Sequence, residues 1–252
     1  MSKIISIHSF RGGTGKSNST ANIAVLMAAR GLRVGVVDTD IQSPGIHVLF
    51  GLDEDDERLS LNDYLWGKCQ VEEAAIDMTQ SLGGDLLGRL FLIPSSIKAG
   101  EIAKVLREGY DVALLQEGFQ RLVSRLKLDV LMIDTHPGLN EETLLSIAIS
   151  DKLVIILRPD QQDYQGTGVT VDVARRLKVS DLLLLVNKAP QSLDPEAVKA
   201  KVAQAYDSEV VAVLQHSDEM MALASGGIFS LKYPNHPVAL TYRAVVDRLL
   251  RD

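Results

Sequence analysis

The hydrophobic positions of this chain fall into short unbroken runs. Ile4-Ile5-Ser6-Ile7, Val34-Gly35-Val36-Val37, Leu90-Phe91-Leu92-Ile93, Val130-Leu131-Met132-Ile133, Leu153-Val154-Ile155-Ile156-Leu157, Leu182-Leu183-Leu184-Leu185-Val186 and Val210-Val211-Ala212-Val213 are seven of them. A strand with one wet face alternates apolar and polar residues, whereas an unbroken run suits a strand covered on both faces, as in a parallel sheet. Helix-like segments lie between the runs: Lys16 to Ala29, Tyr110 to Leu126, Glu141 to Ile149, Gly166 to Leu177 and Pro195 to Tyr206, with a final packing helix from Pro237 onward. This alternation predicts right-handed βαβ crossovers, a mostly parallel twisted sheet of about seven to eight strands, and helices on both faces. The acidic run Asp53-Glu54-Asp55-Asp56-Glu57 reads as a solvated loop and Ser81 to Gly88 as a Gly-containing connection. Neither reads as a linker, so residues 1–252 are expected to form a single α/β domain.

The first run leads into Arg11-Gly12-Gly13-Thr14-Gly15-Lys16-Ser17. Ligands of open α/β sheets bind beyond the carboxyl ends of the strands, where this segment falls. Gly12, Gly13 and Gly15 let successive backbone N–H groups converge on one anion, and the helix starting near Lys16 adds the positive end of its dipole. Lys16 is placed to reach the β- and γ-phosphates and the Ser17 hydroxyl to ligate Mg²⁺; this is a P-loop NTPase signature. Phe10 stands where the strict pattern has its first Gly, so the segment is a deviant form of the motif.

Phosphoryl transfer also requires carboxylates to hold the metal and position water. Two strand-like runs end in them: Val34 to Val37 in Asp38-Thr39-Asp40, and Val130 to Ile133 in Asp134-Thr135-His136-Pro137-Gly138. Asp134 is the Walker B type candidate. Asp38 and Asp40 are candidates for a switch loop near the γ-phosphate. His136 reads as a structural loop histidine, because this chemistry needs positioning more than a strong base.

Composition narrows the partners. The net charge of −7 would repel nucleic acid and anionic membrane in bulk, so any DNA contact must use a local basic patch. Arg121, Arg125 and Lys127, then Arg175, Arg176 and Lys178, then Lys232, Arg243, Arg248 and Arg251 are the candidate groups. Cys69 is the one cysteine, which argues against a disulfide framework, a cysteine zinc site and an intersubunit iron–sulfur cluster. Without a signal-peptide pattern or a run of about 20 apolar residues, the chain reads as soluble and cytoplasmic.

Taken together, these segments resemble the ParA/MinD family of deviant Walker ATPases over nearly the whole chain. Arg11 to Ser17 matches the deviant Walker A motif, Asp38-Thr39-Asp40 the family's D-x-D switch, and Asp134 to Gly138 its D-[ST]-x-P-x segment. Ala148 to Asp151 with Arg158-Pro159-Asp160 resembles its A-x-x-A-D…P stretch, and Asn187 resembles the strand-end Asn that reads adenine. The resemblance implies an Mg-dependent ATPase, with nucleotide held by residues 12 to 18 and Asn187, including Thr14 and Asn18. It also implies Ser17, Asp38 and Asp134 around the metal, and Asp40 orienting water. ATP would join two chains into a sandwich homodimer, in which a signature Lys from each chain touches the other's nucleotide. Arg11 holds that position here; Lys152 is the other candidate, because Asp151 aligns with a family position near the dimer face. The run Ser9 to Asn18 points to the carboxysome-positioning branch, which implies non-specific nucleoid DNA and a small adaptor protein that stimulates hydrolysis.

Rival readings differ in their residues. A MinD-type branch would end in a basic amphipathic helix on a membrane, and the segment from Pro237 reads instead as a packing helix, so no membrane partner is expected. A GTPase with N-K-x-D would have Asp where Pro190 stands. A bacterial tyrosine kinase would show a late Tyr cluster, and only Tyr233 and Tyr242 lie late. A metabolic kinase or ligase would need a second substrate pocket, for which no motif is visible.

Overall fold

The computed structural model describes residues 2–53, 58–83 and 86–251. The acidic run beyond Asp53 and residues 84–85 of the Gly-containing connection lie outside the described residues. The first half of the chain forms β1 (Lys3–His8), α1 (Lys16–Ala29), β2 (Arg33–Asp38), α2 (Ile46–Leu49), α3 (Leu61–Leu65), β3 (Ile76–Asp77), β4 (Arg89–Ile93), α4 (Ala99–Glu108) and α5 (Ala113–Arg125). The second half forms β5 (Val130–Asp134), α6 (Glu141–Ala148), β6 (Lys152–Leu157), α7 (Gln161–Arg176), β7 (Asp181–Ala189), α8 (Pro195–Tyr206), β8 (Glu209–Gln215), α9 (Asp218–Leu223), α10 (Phe229–Lys232) and α11 (Pro237–Leu250).

These elements build the expected α/β architecture. The eight strands lie in the order β3-β4-β2-β5-β1-β6-β7-β8. All neighbours are parallel except the two-residue β3, which pairs antiparallel with β4 at the edge. All seven apolar runs became strands, and each parallel pair is joined through helices that cover the sheet. Side chains on β5 show how one run serves two faces: Val130 and Met132 join the core beneath α1 and α11, while Leu131 and Ile133 join the core beneath α3 and α5. A third core under α7 and α8 takes Leu153, Ile155 and Leu157 of β6.

Helix α1 is buried almost all round, because it lies between the sheet and α11. Its sequence accordingly lacks a polar face. The Tyr242 ring of α11 is fully buried, and its hydroxyl meets Ser19 Oγ of α1 at 3.0 Å. That hydrogen bond lets two polar groups enter the core without an unsatisfied partner.

Helix α4 was not expected from the sequence. Val105 is its one buried residue and Leu106 is 62% exposed, so its packing leaves little periodic signal. Trp66 caps α3 and sits under two ammonium groups, Lys104 Nζ at 4.3 Å and Lys68 Nζ at 5.2 Å from the ring centroid. No helix among the described residues is long and apolar enough to cross a membrane.

Candidate nucleotide site

Strand order sets the site. β2, β5 and β1 are neighbours, and their registers pair Asp38 with Asp134 and Ile7 with Asp134. Parallel strands stand about 4.8 Å apart, so two carboxylates end side by side next to the loop leaving β1. That loop runs from Ser9 to Gly15 and opens into α1. Gly13 and Gly15 have φ of 77° and 93°, a left-handed conformation that side chains disfavour. At Gly15 space forbids a side chain as well, since a Cβ would stand 2.3 Å from Asn187 Nδ2. Gly15 is also the N-cap of α1 and offers no side-chain acceptor. The first N–H groups of the helix are therefore left for a ligand, which is how helix starts bind anions. Gly12, Ser17, Asn18, Asp40, Pro137 and Lys188 help to line the resulting cleft of about 370 Å³, a size suited to a small molecule.

Below the loop lies a buried charged cluster. Lys16 Nζ donates to Asp134 Oδ1 at 3.0 Å, and both side chains are almost fully buried. Thr20 Oγ1, one helical turn after Lys16, donates to the same oxygen at 3.0 Å. The other oxygen, Asp134 Oδ2, is buried with no hydrogen-bond partner, as is Thr14 Oγ1. Asp38 accepts from the N–H groups of Asp40 and Gly45 at 2.9 and 3.4 Å. Burial, and then the charge of Asp134, push its carboxyl up to about 8, against the pull of Lys16. Asp40 is also raised, chiefly by burial, and its Oδ1 lies 3.7 Å from His136 Nε2. His8, beneath the loop, is pushed down to about 3 by burial and by Lys16, so it is neutral. Thr135 Oγ1 donates to the Ile7 carbonyl at 3.1 Å and sits 2.8 Å from His8 Nδ1. With the threonine proton already used, His8 carries its own proton on Nδ1.

Among the described residues no three His, Cys, Asp or Glu side chains converge to cage a metal by themselves. What the cluster offers is two buried carboxylates with raised proton demand or an unpartnered oxygen, beside the Ser17 hydroxyl. Such a set fits a hydrated divalent ion that draws its remaining oxygens from water and phosphate.

The predicted loop residues Gly12 to Asn18, the carboxylates Asp38, Asp40 and Asp134, and Asn187 all meet at this end of the sheet. Asn187 is turned to the protein: its Nδ2 donates to the Thr14 carbonyl at 2.8 Å, and its Oδ1 accepts from the Lys188 N–H at 2.9 Å. Arg11 is drawn to α7, where its guanidinium donates to Gln162 Oε1 and lies 3.7 Å from Asp163. Phe10, in place of the usual Gly, packs on the same helix; a Cβ on Gly166 would stand 2.1 Å from its ring.

The Lys152 expectation is corrected. Lys152 begins β6, so it lies at the amino end of the sheet, opposite the loop. A six-residue strand spans about 17 Å, which separates it from the cleft. Its ammonium is 5% exposed and committed to Asp181 at 2.9 Å and to the Arg251 carbonyl at 2.7 Å.

Two residues of the site escaped the sequence reading. Thr20 had a signal, a hydroxyl four residues after Lys16 on the same helix face. Lys188 adjoins Asn187, but only the fold shows that its Nζ donates to the Gly13 carbonyl at 2.8 Å.

A family model described as an AAA domain matches residues 2–182. The chain belongs to that family, as a P-loop protein of the ParA/MinD type. It is 25% identical to an uncharacterized ATP-binding protein of Methanocaldococcus jannaschii, over 99% of this chain and 88% of that one. Its fold matches the septum site-determining protein MinD of Pyrococcus horikoshii, solved with Mg-ADP, at a TM-score of 0.82 and 22% identity, covering 100% and 97% of the two chains. It also matches apo McdA of Cyanthece at a TM-score of 0.78 and 16% identity, covering 100% of both.

Proposed function

We propose that residues 1–252 act as one Mg-dependent ATPase unit that converts ATP and water to ADP and phosphate, and that the reaction times the positioning of a cargo. The observation that carries this reading is the buried set Lys16, Asp38 and Asp134 under an amide-lined loop, with Asp134 Oδ2 left without a partner. Bound magnesium supplies charge neutralisation of the phosphates. Ser17, Asp38 and Asp134 would hold it, directly or through water. Lys16 exchanges part of its contact with Asp134 for phosphate oxygens. Asp40, at the cleft wall, orients the attacking water, and His136 beside it steadies that carboxylate. Asn187 and Asn18 face the base side. Arg11, tethered on α7, would act on the nucleotide of a second copy in an ATP-sandwich homodimer. Calorimetric titration with Mg-ATP tests the core of this reading: the unaltered protein should bind, and Lys16→Ala should not.

The cargo reading follows the McdA likeness: the ATP dimer would bind nucleoid DNA without sequence preference, and a small McdB-type adaptor would stimulate hydrolysis and release it, distributing carboxysomes. Of the candidate basic groups, Arg121 and Arg125 pair with Glu72, Arg248 with Asp181 and Glu209, and Arg175 bonds backbone carbonyls. Lys127, Arg176, Lys178, Arg243 and Arg251 have no ion pair among the described residues and are the better candidates for phosphate contacts. Affinity for random DNA should require ATP and fall steeply with salt. The MinD likeness favours a second reading, a division-site or related ATPase that acts at a membrane. Flotation with anionic vesicles in ATP, run beside the DNA assay, separates the two.

A further inference from the structure

Lys188 has three features that the reading so far does not use. Its backbone is left-handed, with φ of 55°, at a residue that is not glycine. Such a conformation costs free energy and persists where surrounding contacts impose it. It lies where the β7–β8 pairing shifts register between Val186 and Ala189. Its Nζ donates to the Gly13 carbonyl, while Asn187 Nδ2 donates to the next carbonyl, that of Thr14. Two successive side chains of one strand end thus grip two successive carbonyls of the loop. In a planar trans peptide the C=O and the following N–H point in opposite directions. Fixing the Gly13 and Thr14 carbonyls toward Lys188 and Asn187 therefore turns the Thr14 and Gly15 N–H groups the other way, the polarity an anion cradle requires. Lys188 also borders two clefts at once, the one beside Lys16 and Ser17, and a neighbouring one lined by His216, Ser217, Met220 and Met221.

We propose that Lys188 is a positioning residue that sets how fast nucleotide leaves. Its ammonium locks the phosphate loop in the binding conformation, and its stem forms the rib between the phosphate cleft and the apolar cleft beside it, under which a bound nucleotide passes. The proposal rests on the nucleotide reading above. Replacing Lys188 with Met keeps the stem and removes the lock; Lys188→Gly removes both and relieves the left-handed backbone.

The test is stopped-flow release of a fluorescent N-methylanthraniloyl-ADP with magnesium, alongside melting of the nucleotide-free protein. A charged hydrogen bond of this kind corresponds to about tenfold or more in a rate. Lys188→Met should release the probe about tenfold faster with an unchanged melting temperature. Lys188→Gly should release it faster still while melting no lower than the unaltered protein. A residue with a merely structural role would shift stability and release together. Release from both variants at the unaltered rate overturns the assignment and leaves the nucleotide reading standing. Failure of the unaltered protein to bind the probe overturns both.

Discussion

The two ends of the sheet bury charge in opposite ways. At the amino end, Lys152 is held by Asp181 and a backbone carbonyl. Arg248 spans Asp181 and Glu209 with hydrogen bonds of 2.8–3.0 Å. Asp181 is held below the usual carboxylate range, with Arg248 and Lys152 overcoming its burial. At the carboxyl end, Asp38, Asp40 and Asp134 crowd around Lys16, two of them are raised, and one buried oxygen has no partner. A buried ion pair with every member satisfied belongs to the fold. A buried cluster with surplus negative charge and an unfilled valence is completed by something from outside. Burial of charge alone therefore does not mark a site; the imbalance does.

Substitutions at the two ends should have separable effects. The largest is expected at the unbalanced end, where Lys16→Ala should weaken Mg-ATP binding about 100-fold or more, on the order of 3 kcal/mol. Equal affinity by calorimetry would remove the carboxyl end from consideration. Lys152→Ala should cost stability instead, about 2 kcal/mol, because the Arg251 carbonyl and part of Asp181 lose a donor. Denaturant unfolding reads that loss, and nucleotide affinity should stay unchanged; a drop in both would merge the two ends.

Acidity sharpens the contrast. The folded protein holds the Asp38 proton up to about pH 8, whereas the unfolded chain releases it near its model value of 3.8. Across that window the folded state binds more protons, so stability of the nucleotide-free protein should fall as pH rises. Asp38→Asn should flatten that decline and stabilise the protein at pH 8 by on the order of 2 kcal/mol. Identical slopes in the two proteins would show that Asp38 ionises freely. The smallest change is expected far from either end: Tyr242→Phe should lose about 1 kcal/mol, the worth of its hydroxyl contact with Ser19.

Much of this was legible in the chain itself, for stated reasons. Unbroken apolar runs announce doubly covered strands, and the loop Arg11 to Ser17 announces its site because only that backbone shape requires those glycines. Asp38 and Asp134 were readable as strand-end acids, yet their adjacency was not, because β5 inserts between β1 and β2 only in three dimensions. Lys152 shows the converse. Its place beside Asp151 in sequence suggested a reacting face, but the strand runs the other way and carries it to the far edge. The Lys188 contact crosses 175 residues of sequence. No local pattern could carry it. Helix α4 was missed because a helix with one buried side chain has almost no periodicity to read.

Trp66 is the chain's one tryptophan, and its ring is bracketed by ammonium groups from two different segments, Lys68 beside α3 and Lys104 on α4. Indole emission shifts when nearby cations move. The segment carrying Asp40 leads directly toward α3, so the protein contains an optical gauge of that segment. Its closing and opening can be timed by fluorescence without attaching a dye.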